Sequence, residues 1–169
     1  MDSEALKSLQ RPIKQSYRED AARAMVTLSA SGQIDDADVT CSVQTGRALV
    51  EAGLHPASGG DGSFACSGDM LLQALVACAG VTLQSVATNR GLALDGGTVR
   101  AEGDLDFRGT MGVDPDAPVG FGAIRLSFEI EGTLTDEEKA ELIATTERYC
   151  VVLQTLLDPP TIEVIDSAN

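Results

Sequence analysis

Thiols carry most of the chemistry this chain can offer. There are four of them, Cys41, Cys66, Cys78 and Cys150. The thiolate is the nucleophilic form of cysteine, and an oxidised sulfur condenses with a neighbouring thiol to a disulfide. No pair has CxxC spacing and the single histidine is His55, a poor match to the ligand patterns of structural zinc. Cys78 has the most unusual setting. It lies in SGDMLLQALVACAGVTLQSVATNRG (67–91), where no charge occurs between Asp69 and Arg90. A buried cysteine is commonly just a small hydrophobe. Cys78 is also far from the start of its helix, so the dipole cannot activate it. Activation requires a positive or hydrogen-bonding group brought in by the fold.

The other candidates are plainer. Cys66 stands just before the helix, where a thiolate could be stabilised; it reads either as an alternative resolving thiol or as a small residue at a loop end. Cys41 shares a strand face with Val39 and Val43 and reads as core. His55 precedes Pro56 in a loop, in a surface or capping role, with cleft lining as the alternative.

The elements that must position these residues can be read in order. Residues 3–23 form a loose helical lead-in broken at Pro12, so the chain divides into a lead-in over 1–23 and one domain over 24–169. AMVTLSASG (24–32) alternates as a strand, IDDAD turns, and VTCSVQTG (39–46) is a second strand. RALVEAGL extends the sheet as a short third strand, and HPASGGDGS (55–63) is a loop. The long helix follows, with Ser67 as N-cap, Asp69 at the positive end of its dipole and Gly91 as terminator. GTVRAEGDLDFRG (97–109) is a strand with a bulge at Gly103. AIRLSFEIEG (123–132) is another, with Ile124, Leu126, Phe128 and Ile130 on its dry face. TDEEKAELIATTERY opens with a capping box, Thr135 and Glu138, and buries Leu142, Ile143 and Tyr149. CVVLQTLLD is a second, bent-off helical segment, and PPTIEVID closes as a short strand. This order predicts an α+β fold, an antiparallel sheet packed with a long central helix.

Composition narrows the function. The net charge of −14 leaves no excess of cations to displace counterions from nucleic acid, and argues equally against anionic membrane surfaces. The polar N-terminus shows no export signal, so reduced thiols in the cytoplasm are expected. The uncharged helix is about long enough to span a bilayer, but it contains Gln73, Thr82, Gln84 and Ser85 and lacks basic flanks. An apolar helix needs cover on every side. One sheet and two smaller helices hardly supply it, whereas a second copy of the chain would, with Ala74, Ala77, Ala79 and Gly80 permitting close approach.

Two stretches together resemble a known family. SGDMLLQALVACAGVTL is similar to the first cysteine motif of the OsmC/Ohr family, and ERYCVVLQTL to the second, in the right order and 72 residues apart from Cys78 to Cys150. The capped helix before the second motif and the PPTIEV segment after it also match, so that the resemblance covers roughly residues 24–166. It implies an OsmC-like fold and an intertwined homodimer with sites at the subunit interface. In the family's peroxidases one thiolate attacks a hydroperoxide and becomes a sulfenic acid, and a second cysteine resolves it as a disulfide. By motif, Cys78 would be peroxidatic and Cys150 resolving. An external dithiol would reopen the bridge, with no metal or bound cofactor implied. Such an enzyme would detoxify organic hydroperoxides under oxidative stress. The resemblance also implies an arginine holding the thiolate and an acid orienting it; by position these are Arg47 and Asp69. Asp69 is one methylene shorter than the usual Glu and lies on the opposite helix face from Cys78. Val151 stands where the second motif commonly has proline. The alternative is a non-catalytic module of the same fold, binding a small apolar or thiol-bearing ligand in the dimer cleft.

Overall fold

The computed structural model describes residues 2–19, 32–34, 40–45 and 48–166. A helix, α1 (Ser3–Glu19), precedes three short strands, β1 (Gly32–Ile34), β2 (Thr40–Thr45) and β3 (Ala48–Gly53). A 3-10 turn, Pro56–Ser58, and strand β4 (Ala65–Cys66) lead into the long helix α2 (Ser67–Arg90). Then come β5 (Gly96–Leu105), the single helical turn α3 (Phe107–Thr110), β6 (Phe121–Glu131), α4 (Asp136–Tyr149) and α5 (Val151–Leu157). The mixed α and β class matches the sequence reading, but the strands form two sheets. One has the order β1-β2-β3-β4, with β3 and β4 parallel; the other is the antiparallel pair β5-β6.

The β5-β6 pair is the floor on which α2 lies. Its dry face alternates as period two demands: Ile124, Leu126, Phe128 and Ile130 are half-buried, while Arg125, Ser127, Glu129 and Glu131 are exposed. Across the ladder Val99 pairs with Phe128 and Ala101 with Leu126. Two clusters form above this face. Leu75, Ala79 and Cys150 centre one; Leu83, Ala87 and Leu142 centre the other; Phe128 packs against both. The buried positions of α2 thus recur every fourth residue, which traces one face of a helix. The rest is open. Gln73, Ala74, Ala77, Val81 and Gln84 are exposed, Val81 at 72%.

Local signals explain most boundaries. Gly91 ends α2 in the left-handed region, φ 73°, as glycine does at a helix C-terminus. Thr135 Oγ1 accepts from Glu138 N–H at 3.2 Å while the Glu138 carboxylate accepts from Thr135 N–H at 2.8 Å, a complete capping box. Arg90 ties the end of α2 to α4 through Thr145 at 2.8 Å and Glu141 at 3.4 Å. His55 does cap: its Nδ1 accepts from Ala57 N–H at 3.0 Å.

Several expectations give way. α1 runs unbroken through Pro12. It packs on α2, and Ser3 Oγ donates to the Asn89 carbonyl at 3.3 Å, so tertiary contact holds a helix that proline alone would disfavour. The N-cap of α2 is Cys66, not Ser67, because pairing of β4 with β3 keeps Cys66 extended at φ −77°, ψ 132°. The register shift falls between Asp104 and Leu105, while Gly103 pairs regularly with Ile124. Gly103 is required for another reason: a Cβ there would meet the Phe121 ring at 2.6 Å. Tyr149 is 59% exposed and Arg148 lies over its ring, the buried face of α4 being Leu142 and Thr146. Residues 159–166 form no strand and expose Ile162, Val164 and Ile165, and among the described residues no strand pairs with them. The strand expected over 24–32 lies outside the described residues except for Gly32, which opens β1.

Gly103→Ala is expected to destabilise the protein by about 1–3 kcal/mol, the range for overpacking a filled site. Urea unfolding measures this, and Phe121→Leu in the same chain should recover part of the loss. An unchanged urea midpoint in Gly103→Ala would show that the ring moves aside freely.

Candidate active site

Cys78 and Cys150 come together where α2 crosses the corner between α4 and α5. Cys150 is the corner itself. It is the C-cap of α4 and the N-cap of α5, with φ −73° and ψ 106°. Its side chain has no exposure, packed in the cluster with Leu75 and Ala79. Cys78 packs against that same cluster but is only partly buried. Both are free thiols, and the Cys150 thiol lies in hydrogen-bonding contact with Cys78 sulfur.

The electrostatics separate the pair. Burial pushes the Cys78 thiol up. The Val152 N–H, the Cys150 thiol, the Val151 N–H and the Thr82 hydroxyl outweigh it, and the net direction is down from the ordinary thiol value. Among the described residues no cation joins these groups. Activation comes from hydrogen bonds at the entrance of a different helix. Cys150 goes the other way. Burial raises it first, and the donors Leu153 N–H and Val152 N–H do not offset that burial together with the charge of a neighbouring Cys78 thiolate. Opening α5 therefore does not make Cys150 the better thiolate; desolvation dominates. Of the two sulfurs, Cys78 is the one these directions favour to lose its proton first.

Thr82 belongs to the site although motif reading passed over it. Its Oγ1 donates to the Cys78 carbonyl at 2.8 Å and also reaches the Cys78 sulfur. Spacing of four on one helix was the available signal. The backbone donors of α5 carried no signal in residue types. Thr82 also lines a groove of about 650 Å³ between α1, α2 and α4. Val81, Val86 and Tyr149 supply its apolar walls, with Lys14 and Arg90 as cations.

The remaining candidates are not gathered at these sulfurs. Asp69 is in the first turn of α2. Nine residues of continuous helix put it about 13 Å along the axis from Cys78, beyond direct contact within one chain. It borders a small cleft of about 180 Å³ together with His55, Cys66 and Phe107, where the imidazole stacks on the Phe107 ring at 4.9 Å. Cys66 is about 18 Å along the same helix from Cys78, too far to resolve it within the chain. Arg47 lies outside the described residues, and of Cys41 only the backbone is described, paired with Ala52. Among the described residues no group of three or more His, Cys, Asp and Glu could hold a metal.

With this geometry established, comparison with known proteins is informative. The OsmC-like protein family profile matches residues 60–165, and the chain belongs to that family. No curated protein matches the sequence. Among solved structures, an OsmC-like protein from Mycoplasma pneumoniae superposes with TM-score 0.67 at 16% identity, covering 79% of this chain and 89% of its own. An organic hydroperoxide resistance protein OsmC from Legionella pneumophila gives 0.62 at 18% identity, covering 79% and 91%. A further organic hydroperoxide resistance protein, from Elizabethkingia anophelis with thiocyanate bound, gives 0.61 at 18%, covering 80% and 91%. The likeness establishes an OsmC-like fold.

Alkylation should separate the two sulfurs. As pH rises, iodoacetamide is expected to label Cys78 before the ordinary thiol range near 8.5 and Cys150 last, read by peptide mapping of the intact chain. Thr82→Val should move Cys78 labelling to higher pH by removing one donor to the thiolate. Superimposable pH profiles for Cys78 in the two proteins would remove Thr82 from the site.

Proposed function

We propose that this protein is a thiol-dependent reductase of organic hydroperoxides, acting as a cytoplasmic homodimer in defence against oxidative stress. The observation that carries the reading is the unequal pair: a partly exposed sulfur held below the ordinary thiol range, in contact with a fully buried sulfur held above it. The Cys78 thiolate attacks the peroxide oxygen. The O–O bond breaks, Cys78 becomes a sulfenic acid, and the other oxygen leaves as an alcohol after taking a proton. Cys150, still a thiol, attacks the sulfenic sulfur; a disulfide forms and water leaves with the Cys150 proton. An external dithiol then reduces the bridge and is itself oxidised to a disulfide. Keeping Cys150 protonated during the first step avoids two adjacent thiolates. Val152, Leu153 and Leu156 around the pair favour an apolar peroxide. In this reading Arg47 and Asp69 are the candidates for the supporting charges, Asp69 from a position remote from Cys78 in its own chain.

The homodimer rests on the open face of α2. Ala74, Ala77 and Val81 are exposed between Gln73 and Gln84, in a stretch of α2 free of charge from Met70 to Asn89, and small side chains let a second helix approach closely. A second functional reading, a non-catalytic binding module for a small apolar or thiol-bearing ligand, is favoured by the groove beside Thr82, whose size suits a small molecule.

Cumene hydroperoxide and dithiothreitol decide between the two. Consumption is expected with the native chain and none with Cys78→Ser. Cys150→Ser should lose multiple turnover and accumulate sulfinic acid at Cys78, read by mass spectrometry. No peroxide loss in the native protein, or turnover that survives Cys78→Ser, rejects the reductase and leaves the binding module. Separately, Ala77→Glu should convert a dimer to monomer by light scattering; an unaltered mass would place the interface elsewhere.

A further inference from the structure

Charge is distributed unevenly over the clefts of this protein. The chain carries 26 acidic side chains against 12 lysines and arginines. Three clefts follow that balance: one borders Asp104 and Asp106, two border Asp69, and none borders a lysine or arginine. The groove between α1, α2 and α4 reverses it. Lys14 and Arg90 line it and no carboxylate does. Its volume of about 650 Å³ falls in the range of roughly 300–1,000 Å³ that small-molecule sites occupy.

The two cations differ. Arg90 donates to Thr145 at 2.8 Å and pairs with Glu141 at 3.4 Å, so its charge is partly neutralised and its place fixed. Lys14 is exposed and forms no ion pair with any described residue. Beside them Val81, Val86 and Tyr149 supply apolar walls, and Val81 and Tyr149 are open to solvent. A second copy on the exposed stripe of α2 would border this groove without filling it. Val86 is nine residues from Ala77, which puts the two on opposite faces of the helix.

We propose that this groove binds an amphiphilic carboxylate, a single apolar chain with one anionic end, its carboxylate on Lys14 and Arg90 and its chain along Val81, Val86 and Tyr149. Lysine supplies a mobile point charge, and the guanidinium, already held by Thr145 and Glu141, supplies a fixed direction. The site needs no reaction at Cys78 or Cys150. It gives the groove of the binding-module reading a charged ligand in place of an uncharged one. Lys14 comes from α1 and Arg90 from α2, so a bound anion also joins two helices that meet through the Ser3 hydroxyl and the Asn89 carbonyl.

Octanoate is the probe, titrated into the full chain by isothermal titration calorimetry. 1-Octanol presents the apolar chain alone and acetate the carboxylate alone. One octanoate per protein chain is expected, with octanol and acetate each weaker by about tenfold or more. Lys14→Glu should weaken octanoate by about tenfold, as loss of a charge-assisted contact implies, and Lys14→Arg should retain it. Arg100→Glu makes the same change of net charge on the wet face of β5, outside the groove, and should leave binding unchanged. Octanol that binds as tightly as octanoate would overturn the proposal in favour of an uncharged ligand. No octanoate binding would overturn it outright, and equal weakening by Lys14→Glu and Arg100→Glu would reduce it to general repulsion. Phosphatidylglycerol vesicles that bind more tightly than octanoate, with the same dependence on Lys14, would replace the free carboxylate by a membrane surface. Circular dichroism checks the fold, and Lys14→Gln serves if charge reversal unwinds α1. Hydroperoxide consumption is assayed without octanoate. A chain that binds octanoate and reduces no hydroperoxide would refute the reductase and not this site.

Discussion

Burial of Cys150 against Leu75 and Ala79 is the contact on which the rest of the site depends. It fixes where α2 crosses the α4–α5 corner, and so which residues of α2 meet the opening turn of α5. A sulfur is large enough to fill that position and apolar enough to lie there without a water partner. Once it is placed, the neighbouring stripe position, Cys78, must face the same turn. Two thiols remote in sequence then share one small set of amide donors. Burial raises both, and their opposite behaviour follows from the hydrogen bonds each receives, which outweigh burial only at Cys78.

This arrangement solves a problem posed by α2 itself. A thiol in mid-helix receives no help from its own dipole, and a helix with no charge between Asp69 and Arg90 offers no ion pair beside Cys78. The donors must come from another element at a point where backbone groups are unsatisfied. A helix break provides such a point, and the chain breaks between Tyr149 and Val151. The sheet supplies the rigidity. Phe128 touches both clusters, so the halves of α2 are held against one surface and the crossing point is defined from below as well as from the corner.

Much of this was legible in the sequence where a single local signal dominates. The uncharged run, Gly91, the Thr135–Glu138 box and the alternation from Ile124 to Ile130 each identify an element without reference to anything distant. The cysteine motifs placed Cys78 and Cys150 on adjoining elements because their order and setting match a family, and composition alone would not have done so. What failed to show was settled by tertiary contact. Pro12 stays helical because α1 lies on α2. Cys66, not Ser67, caps α2 because strand pairing holds it extended. Gly103 reads as a bulge residue but is glycine to make room for a ring eighteen positions later. The PPTIEVID segment has the composition of a strand, but a strand also needs a neighbour, and residue types do not say where one will be. The donors to Cys78 were hidden most completely, since every residue but proline carries the same amide.

The exposed stripe of α2 has a consequence of a different kind. Ala74, Ala77 and Val81 leave one side of the longest helix facing water. A chain that completes its interior with a second copy of itself ties its folding to how many copies are present. Its melting temperature would then drift downward on dilution, as mass action requires. Measurements on dilute samples would describe a different molecule from the one found at high concentration.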